Sequence, residues 1–436
     1  MHKSEKSCTF AAILYDKITN NSKFIDYKRQ STITMNIISR SEYIQRIERY
    51  LGKQTIIVLT GQRRVGKSFV LKDLAQRKMG EGANVIYIDK ENKAFDSITN
   101  YAELNQYIDA HRQADRANFI LIDEVQEIKD FEKSVRAYRV EPDCEIIITG
   151  SNAELFSSDL ANRLGGRHHS VYIQSLTYNE FLTFHNLTDS EDALRLFIED
   201  GGLPGLVNFD ITDSREVSDY QKDVFNTVLL KDVVLRHKVR NVPFLERLCQ
   251  FAADNTGKIF SATSISNFVK SRGESTTTDL IIRYFRYLVD SYVLRQVKRY
   301  DIRGKKILES NSKYYFEDHG IRNIVAGTRR DQDIEKVIEN IVYQQLIYLG
   351  YDVQIGQLLA GEVDFVCTDS NKERAYIQVA YILSDENTIR REYGSLRGIK
   401  DNYPKYIISM TPLVKRNNDE GIIHLGLREF LINGLV

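Results

Sequence analysis

Several absences narrow the field before any motif is read. The 436 residues include only four cysteines, Cys8, Cys144, Cys249 and Cys367, with no CxxC spacing and no Cys/His pairing. That argues against a zinc site and a disulfide framework, and it points to a reducing cytosol. There is no excess of charge, since 60 Lys and Arg balance 60 Asp and Glu. No global field draws the chain onto nucleic acid or membrane, so a polyanion must be met by a local patch. Long apolar runs are also missing. Segments such as Ile56–Leu59 and Ile146–Ile148 are of strand length, well short of the roughly 18–20 residues that a membrane span needs. No long apolar stretch follows the basic residues near the N-terminus, so no signal peptide is expected. The expectation is a soluble, cytoplasmic protein with no membrane partner.

The length calls for two or three domains. Residues 1–34 are polar and rich in Ser, Thr and Asn without lasting periodicity, which reads as a disordered leader or an upstream start preceding Met35. From residue 55 short β-rich runs alternate with longer helical stretches. The runs are TIIVLTG (55–61), NVIYIDK (84–90), FILIDE (119–124), EIIITGS (145–151) and SVYIQSL (170–176). Near-continuous apolar strands separated by crossover helices predict a doubly wound α/β domain with a parallel sheet, over 35–205. A helical linker follows at 206–240. Pro243 opens a second unit, 241–330, of three helices and a two-stranded hairpin turning at Arg303-Gly304-Lys305. That is the layout of a winged helix. A third, small α/β domain is expected over 331–436.

Gly61-Gln62-Arg63-Arg64-Val65-Gly66-Lys67-Ser68 matches GxxxxGK[ST] at every fixed position, between a strand and a helix. Glycine lets the loop wrap so that backbone N–H groups face a phosphate, and the helix N-terminus adds partial positive charge. Lys67 is expected on the β- and γ-phosphates and Ser68 on Mg²⁺. Further along, Asp123 and Glu124 close an apolar strand at its carboxyl end, where ligands bind in open α/β sheets. Asp123 is expected to orient Mg²⁺ and Glu124 to act as general base on water, with Lys67 as its catalytic companion. Adjacent acids with a strand inserted between P-loop and Asp123 mark the class that activates water with Glu. No NKxD-type guanine motif is present, so ATP is favoured over GTP. Ser151 and Asn152, after the next strand, are sensor candidates for the γ-phosphate. Arg163 and Arg167 are candidates for neutralising transition-state charge, in cis or from a neighbouring subunit.

With those residues in hand, the chain resembles the prokaryotic AAA-type ATPases that carry a C-terminal domain of unknown function. The likeness rests on LTGQRRVGKS, LIDEVQEI, ITGSNAELFS, LLKDVV and IQVAY, and covers nearly everything from Met35 onward. It implies an AAA+ P-loop NTPase domain, a winged helix, and then a restriction-endonuclease-like α/β domain. A nuclease of that type wants an acid followed two residues later by lysine. Here Gln378 and Ala380 stand in those places, downstream of Glu339 and Asp364. The motif reads as degenerate, used for binding or structure, with Lys372 or Lys400 as lysines that could take the missing role.

Between Thr263 and Lys306 ten basic residues face four acids, with Arg283 and Arg286 on the expected recognition helix and Arg303, Lys305 and Lys306 at the wing tip. Duplex DNA is therefore an expected partner, held by salt-sensitive phosphate contacts. A protein partner or self-association is the other reading. The leading expectation is an Mg-dependent ATPase that switches on a macromolecular partner. The alternatives are an ATP-gated nuclease and a slow-hydrolysing regulatory scaffold.

Overall fold

The five apolar runs form one sheet in the computed structural model, which describes residues 37–150, 163–271, 276–327, 333–359, 361–383, 386–412, 418–419 and 421–435. The leader at 1–34 and the start at Met35 lie outside the described residues. One compact unit takes the described residues up to Leu59, then Lys67–Gly150 and the stretch ending at Val171. The other takes Thr60–Gly66 and the described residues from Tyr172 onward.

In the first unit the strands are β1 (Ile56–Thr60), β2 (Asn84–Asp89), β3 (Asn118–Asp123), β4 (Cys144–Thr149) and β5 (His168–Tyr172), in the order β2-β3-β4-β1-β5. β1 pairs parallel with β4, β4 with β3, and β3 with β2. Every residue of β1 and β3 is buried, which is why both read as unbroken apolar runs rather than alternating ones. Parallel neighbours need crossovers, supplied by α2 (Lys67–Gly80), on which the preceding helix α1 (Ser41–Glu48) packs, and by α3 (Tyr101–His111) and α4 (Phe131–Arg139). α3 begins where the Asn100 side chain accepts from the N–H groups of Ala102 and Glu103. α4 buries Phe131, Ser134, Val135 and Tyr138, the i, i+3, i+4, i+7 stripe of a helix with one covered face. β4 lies between β1 and β3, the inserted strand that the adjacent acids implied.

The second unit begins with α5 (Tyr178–Phe184), opened by a capping box between Thr177 and Glu180, and α6 (Glu191–Asp200). α7 (Ser214–Thr227) runs on as a π-helix over Val228–Leu235. Such stretches are rare and tend to mark functional sites. The expected three helices follow as α8 (Val242–Asp254), with Pro243 in its first turn, α9 (Ala262–Ser271) and α10 (Thr278–Asp290), then the hairpin β6 (Leu294–Asp301) and β7 (Lys306–Phe316). α11 (His319–Ala326) and α12 (Ile334–Tyr348) lead into β8 (Asp352–Gln357), β9 (Glu362–Thr368) and β10 (Arg374–Ala380). Then come α13 (Glu386–Arg397), β11 (Lys405–Ser409), β12 (Asn418–Asp419), β13 (Ile422–Gly426) and α14 (Leu427–Asn433).

Here the structure revises the expected partition. The hairpin assigned to 241–330 and the strands assigned to 331–436 share one eight-stranded sheet, ordered β12-β13-β11-β10-β9-β8-β6-β7. The join is a parallel pairing of Arg299–Asp301 with Ile355–Gln357, extended by the Ile302 N–H donating to the Gln357 carbonyl at 3.1 Å. Gly356 makes the close approach feasible. A methyl there would lie 2.9 Å from Ile302 and Val366 side-chain carbons and 3.1 Å from Val363. Gly356→Val is therefore expected to cost about 1–3 kcal/mol through overpacking, read as a lower urea midpoint. An unchanged midpoint would mean that the sheet is not tightly joined there.

Both faces of this sheet are covered. Phe365, Ile377 and Ile408 pack with Ile338, Ile341 and Leu346 of α12 and with Phe430. On the other side Val363, Tyr376 and Ile407 pack with Tyr393 and Leu396 of α13. A third cluster joins α7, α8 and α10 through Val224, Phe244, Leu248, Ile281, Phe285 and Leu288. Among the described residues no helix is long and apolar enough to cross a membrane.

Candidate nucleotide-binding site

The P-loop starts at the end of β1. The Ile173 N–H donates to the Thr60 carbonyl at 2.7 Å, and Gly61 follows with φ 139°. A Cβ at Gly61 would fall 1.9 Å from the Ile173 carbonyl oxygen, so the loop can leave the strand only through glycine. Arg64 (φ 73°) and Gly66 (φ 94°) are also left-handed. Interleaving such residues with ordinary ones turns successive amides to one side, which is how backbone N–H groups cup an anion. Gln62, Val65 and Lys67 are buried, while Arg64 is exposed.

Asp123 is 2% exposed. It accepts a short hydrogen bond from the Thr149 hydroxyl, is hydrogen-bonded to Ser68, and lies 3.4 Å from the Tyr87 hydroxyl. Burial raises its pKa above the ordinary value, the hydrogen bonds from Thr149 and Ser68 work against that, and the charges of Asp89 and Glu124 add to it. Tyr87 is pushed well above the usual phenol range by burial and by Asp123 and Asp89.

Glu124 adopts the left-handed conformation (φ 53°, ψ 52°), uncommon for a residue with a side chain. Its N–H donates to the Thr149 hydroxyl oxygen at 3.1 Å, and its carboxylate accepts a short hydrogen bond from the Gln126 amide. Thr149 thus ties the two acids together from β4. Sequence reasoning placed the sensor at Ser151 and Asn152, which lie outside the described residues, and passed over Thr149 and Gln126. The signal was present in both cases, as the last residue of the IIIT run and within LIDEVQ.

The Ser68 hydroxyl and the Asp123 carboxylate form an all-oxygen donor set of the kind that suits Mg²⁺, which is usually held by one or two carboxylates and the substrate's own phosphates. Among the described residues there is no cluster of three or more His, Cys, Asp or Glu able to hold a metal by themselves.

The arginines differ in their surroundings. Arg63 reaches Asp232 in the π-helix with a two-pronged salt bridge, at 3.0 and 3.2 Å, and Asp232 is buried. Arg163 is mostly exposed and 3.5 Å from Glu132. Arg167 is exposed, and its carbonyl accepts from the N–H of Ile56, the first residue of β1. That places its backbone at the strand end opposite the loop, about 13 Å back along β1 at 3.3 Å per residue.

A family described as an AAA domain matches residues 53–182. A second, described as a domain of unknown function (DUF8612), matches residues 191–332. An uncharacterized protein of Haemophilus influenzae is 33% identical over 382 residues, spanning 86% of this chain and 93% of that one. The chain belongs to the same AAA-domain family. An uncharacterized protein of Methanocaldococcus jannaschii is 27% identical over 409 residues, 89% of this chain and 90% of that protein. Among solved structures, a Walker-type ATPase of Pyrococcus abyssi aligns with a TM-score of 0.49 at 16% identity, over 66% of this chain and 96% of that one.

This AAA-domain protein holds a second polar constellation, in its eight-stranded sheet. The Lys313 ammonium from β7 lies 2.7 Å from Glu362, 3.0 Å from Glu339 and 3.4 Å from Asp364. Its side chain is 1% exposed. The Tyr315 hydroxyl also donates to Glu339 at 2.6 Å, and the Val379 N–H donates to Asp364 at 2.9 Å. Burial opposes the charge on Lys313, but the three carboxylates outweigh it and hold the ammonium protonated far above its ordinary range. Burial pushes Glu339 up to about 7 against the pull of Lys313, with Asp364 adding to the rise. Gln378 donates to Glu392 at 2.9 Å. Among the described residues neither Lys372 nor Lys400 is ion-paired with these acids; the cation among them is Lys313, which sequence reasoning did not pick out.

Proposed function

We propose that the chain is an ATP-hydrolysing switch that acts on duplex DNA. The observation that carries the hydrolytic reading is the set Ser68, Asp123, Thr149 and Glu124, hydrogen-bonded together where the P-loop helix meets the ends of β3 and β4. Lys67 would neutralise the β- and γ-phosphates, with the loop amides of Gly61–Gly66 cradling them. Ser68 and Asp123 would hold Mg²⁺, whose charge offsets that of the phosphate oxygens. Glu124 would take the proton from the attacking water. The switch reading is supported by Arg63, whose partner Asp232 also accepts a hydrogen bond from the Ser291 hydroxyl at 2.7 Å through its carbonyl. Ser291 caps the C-terminus of α10, so P-loop, π-helix and winged-helix layout form one polar thread.

The C-terminal strands are read as a degenerate restriction-endonuclease-like domain used for binding. Gln378 and Ala380 replace the acid and lysine of its motif, which disfavours the ATP-gated nuclease.

Steady-state hydrolysis with and without duplex DNA tests the proposal. Lys67→Ala is expected to lower turnover by about 10²-fold or more, as loss of a charge stabiliser does, and DNA is expected to stimulate the unaltered protein. A Lys67→Ala protein with normal turnover would sink the site assignment.

A further inference from the structure

A groove of about 1320 Å³ opens in the second unit, walled by the β6–β7 turn, the β8–β9 connection, β10 with the turn before it, and α13 with the segment that follows. Six cations line it: Arg303, Lys305, Lys372, Arg374, Arg391 and Lys400. Among its described lining residues the three acids are already engaged. Glu362 is on Lys313 at 2.7 Å, Glu392 takes the Gln378 amide and Arg391, and Asp401 accepts from the Tyr376 hydroxyl at 2.6 Å. Among the described residues Arg303, Lys305, Lys372 and Lys400 have no ion pair, and all four are exposed. The groove is therefore a concave, net-positive surface assembled from four separate elements.

The helix expected to read DNA is less suited. On α10, Arg286 is paired with Asp290 at 3.7 Å, and Ile282 is 55% exposed. The hollow beside it is lined by Phe260, Ile265, Phe285 and Val289. Apolar walls do not recognise phosphate, whereas unpaired lysines and arginines do.

We infer that duplex DNA lies in this groove, its phosphates met by the wing tip from one side and by Lys372 and Lys400 from the other. The occupant is argued from charge: repeated phosphates need several separated cations without directional demands, which is what the four elements supply. Single strands are usually held by exposed aromatic platforms as well, and among its described lining residues the groove offers only Tyr403, 39% exposed. An acidic protein would meet the same charge and is the competing occupant. This inference rests on the reading of DNA as the partner and replaces α10 with the groove as the contact surface.

The test is fluorescence anisotropy of a labelled mixed-sequence duplex with the full-length chain across a salt series. Arg303→Glu combined with Lys372→Glu and Lys400→Glu is expected to weaken binding by about tenfold or more and to reduce the salt slope by about three, roughly one for each phosphate that is no longer neutralised. Arg283→Glu with Arg286→Glu on α10 is expected to leave both unchanged. If the groove variant bound like the unaltered chain while the α10 variant lost affinity, the inference would be overturned and the DNA reading kept. Absence of duplex binding by the unaltered chain at low salt would overturn the DNA reading itself. Equal displacement of the duplex by polyglutamate would overturn both in favour of an acidic protein.

Discussion

Replacing Glu124 with glutamine is expected to lower ATP turnover by about 10²–10⁴-fold, the usual contribution of a positioned general base. ATP affinity should stay within about twofold, because a residue that acts only in the transition state leaves ground-state binding alone. The geometry is specific about why. Glu124 sits in a left-handed conformation with its N–H bonded to Thr149, and its carboxylate is held by the Gln126 amide. Glutamine keeps that shape and can still meet Gln126, but its amide cannot accept the proton of water. Single-turnover hydrolysis together with a nucleotide-binding titration separates the two effects. Turnover within tenfold of the unaltered protein would remove Glu124 as the base and shift attention to Asp123. A large loss of affinity would mean instead that Glu124 helps hold the nucleotide.

The parts of this site that could be read from sequence are those whose spacing is fixed by a local backbone event. A P-loop must be a strand, a glycine-permitted turn and a helix N-terminus in succession, so Gly61 to Ser68 are recognisable without a fold. The strand ending in Asp123 is legible because residues 119–122, buried on both faces, form an unbroken apolar run before the acids. Thr149 was obscure because a threonine closing a strand is unremarkable until β4 is known to sit between β1 and β3. In the sequence the π-helix at 228–235 reads as ordinary helix, since its apolar run does not distinguish the two periods.

The merged sheet was hidden for a different reason. β6 buries Leu294, Val297 and Tyr300 among half-buried and exposed residues, which suits a wing with one solvated face as well as it suits a strand inside a larger sheet. Only the pairing of Arg299–Asp301 with Ile355–Gln357 decides between them, and pairing partners more than fifty residues apart leave no local trace. Lys313 belongs to the same blind spot. Its acids come from α12 and β9, and in a linear reading it is one more basic residue in a wing strand. The candidates weighed for the missing lysine, Lys372 and Lys400, are nearer the degenerate motif in sequence, yet both line the groove instead.

Substituting Lys313 with methionine is expected to destabilise the second unit by about 3–5 kcal/mol near pH 8, the usual cost of stranding buried charge. Methionine keeps much of the length and packing, so the loss isolates the ammonium. What remains is Glu339, Glu362 and Asp364 facing one another with no cation between them. The deficit should depend on pH in a direction that can be worked out. Burial already raises Glu339 from 4.5 to about 7, and removing Lys313 takes away the charge that restrains that rise. A folded-state pKa above the unfolded one gives stability that is present at low pH and is lost as pH climbs through the folded value. For the unaltered protein that loss falls between about pH 4.5 and 7; in the variant it extends to higher pH. The difference in urea midpoint between the two proteins should therefore be smallest near pH 5 and grow toward pH 8. Adding Glu339→Gln to the methionine variant removes one of the stranded carboxylates and should restore much of the alkaline loss. Equal stability of variant and unaltered protein at both pH values would show that the ammonium does not hold these carboxylates together. A deficit that is large but independent of pH would assign the damage to packing around β7 rather than to charge.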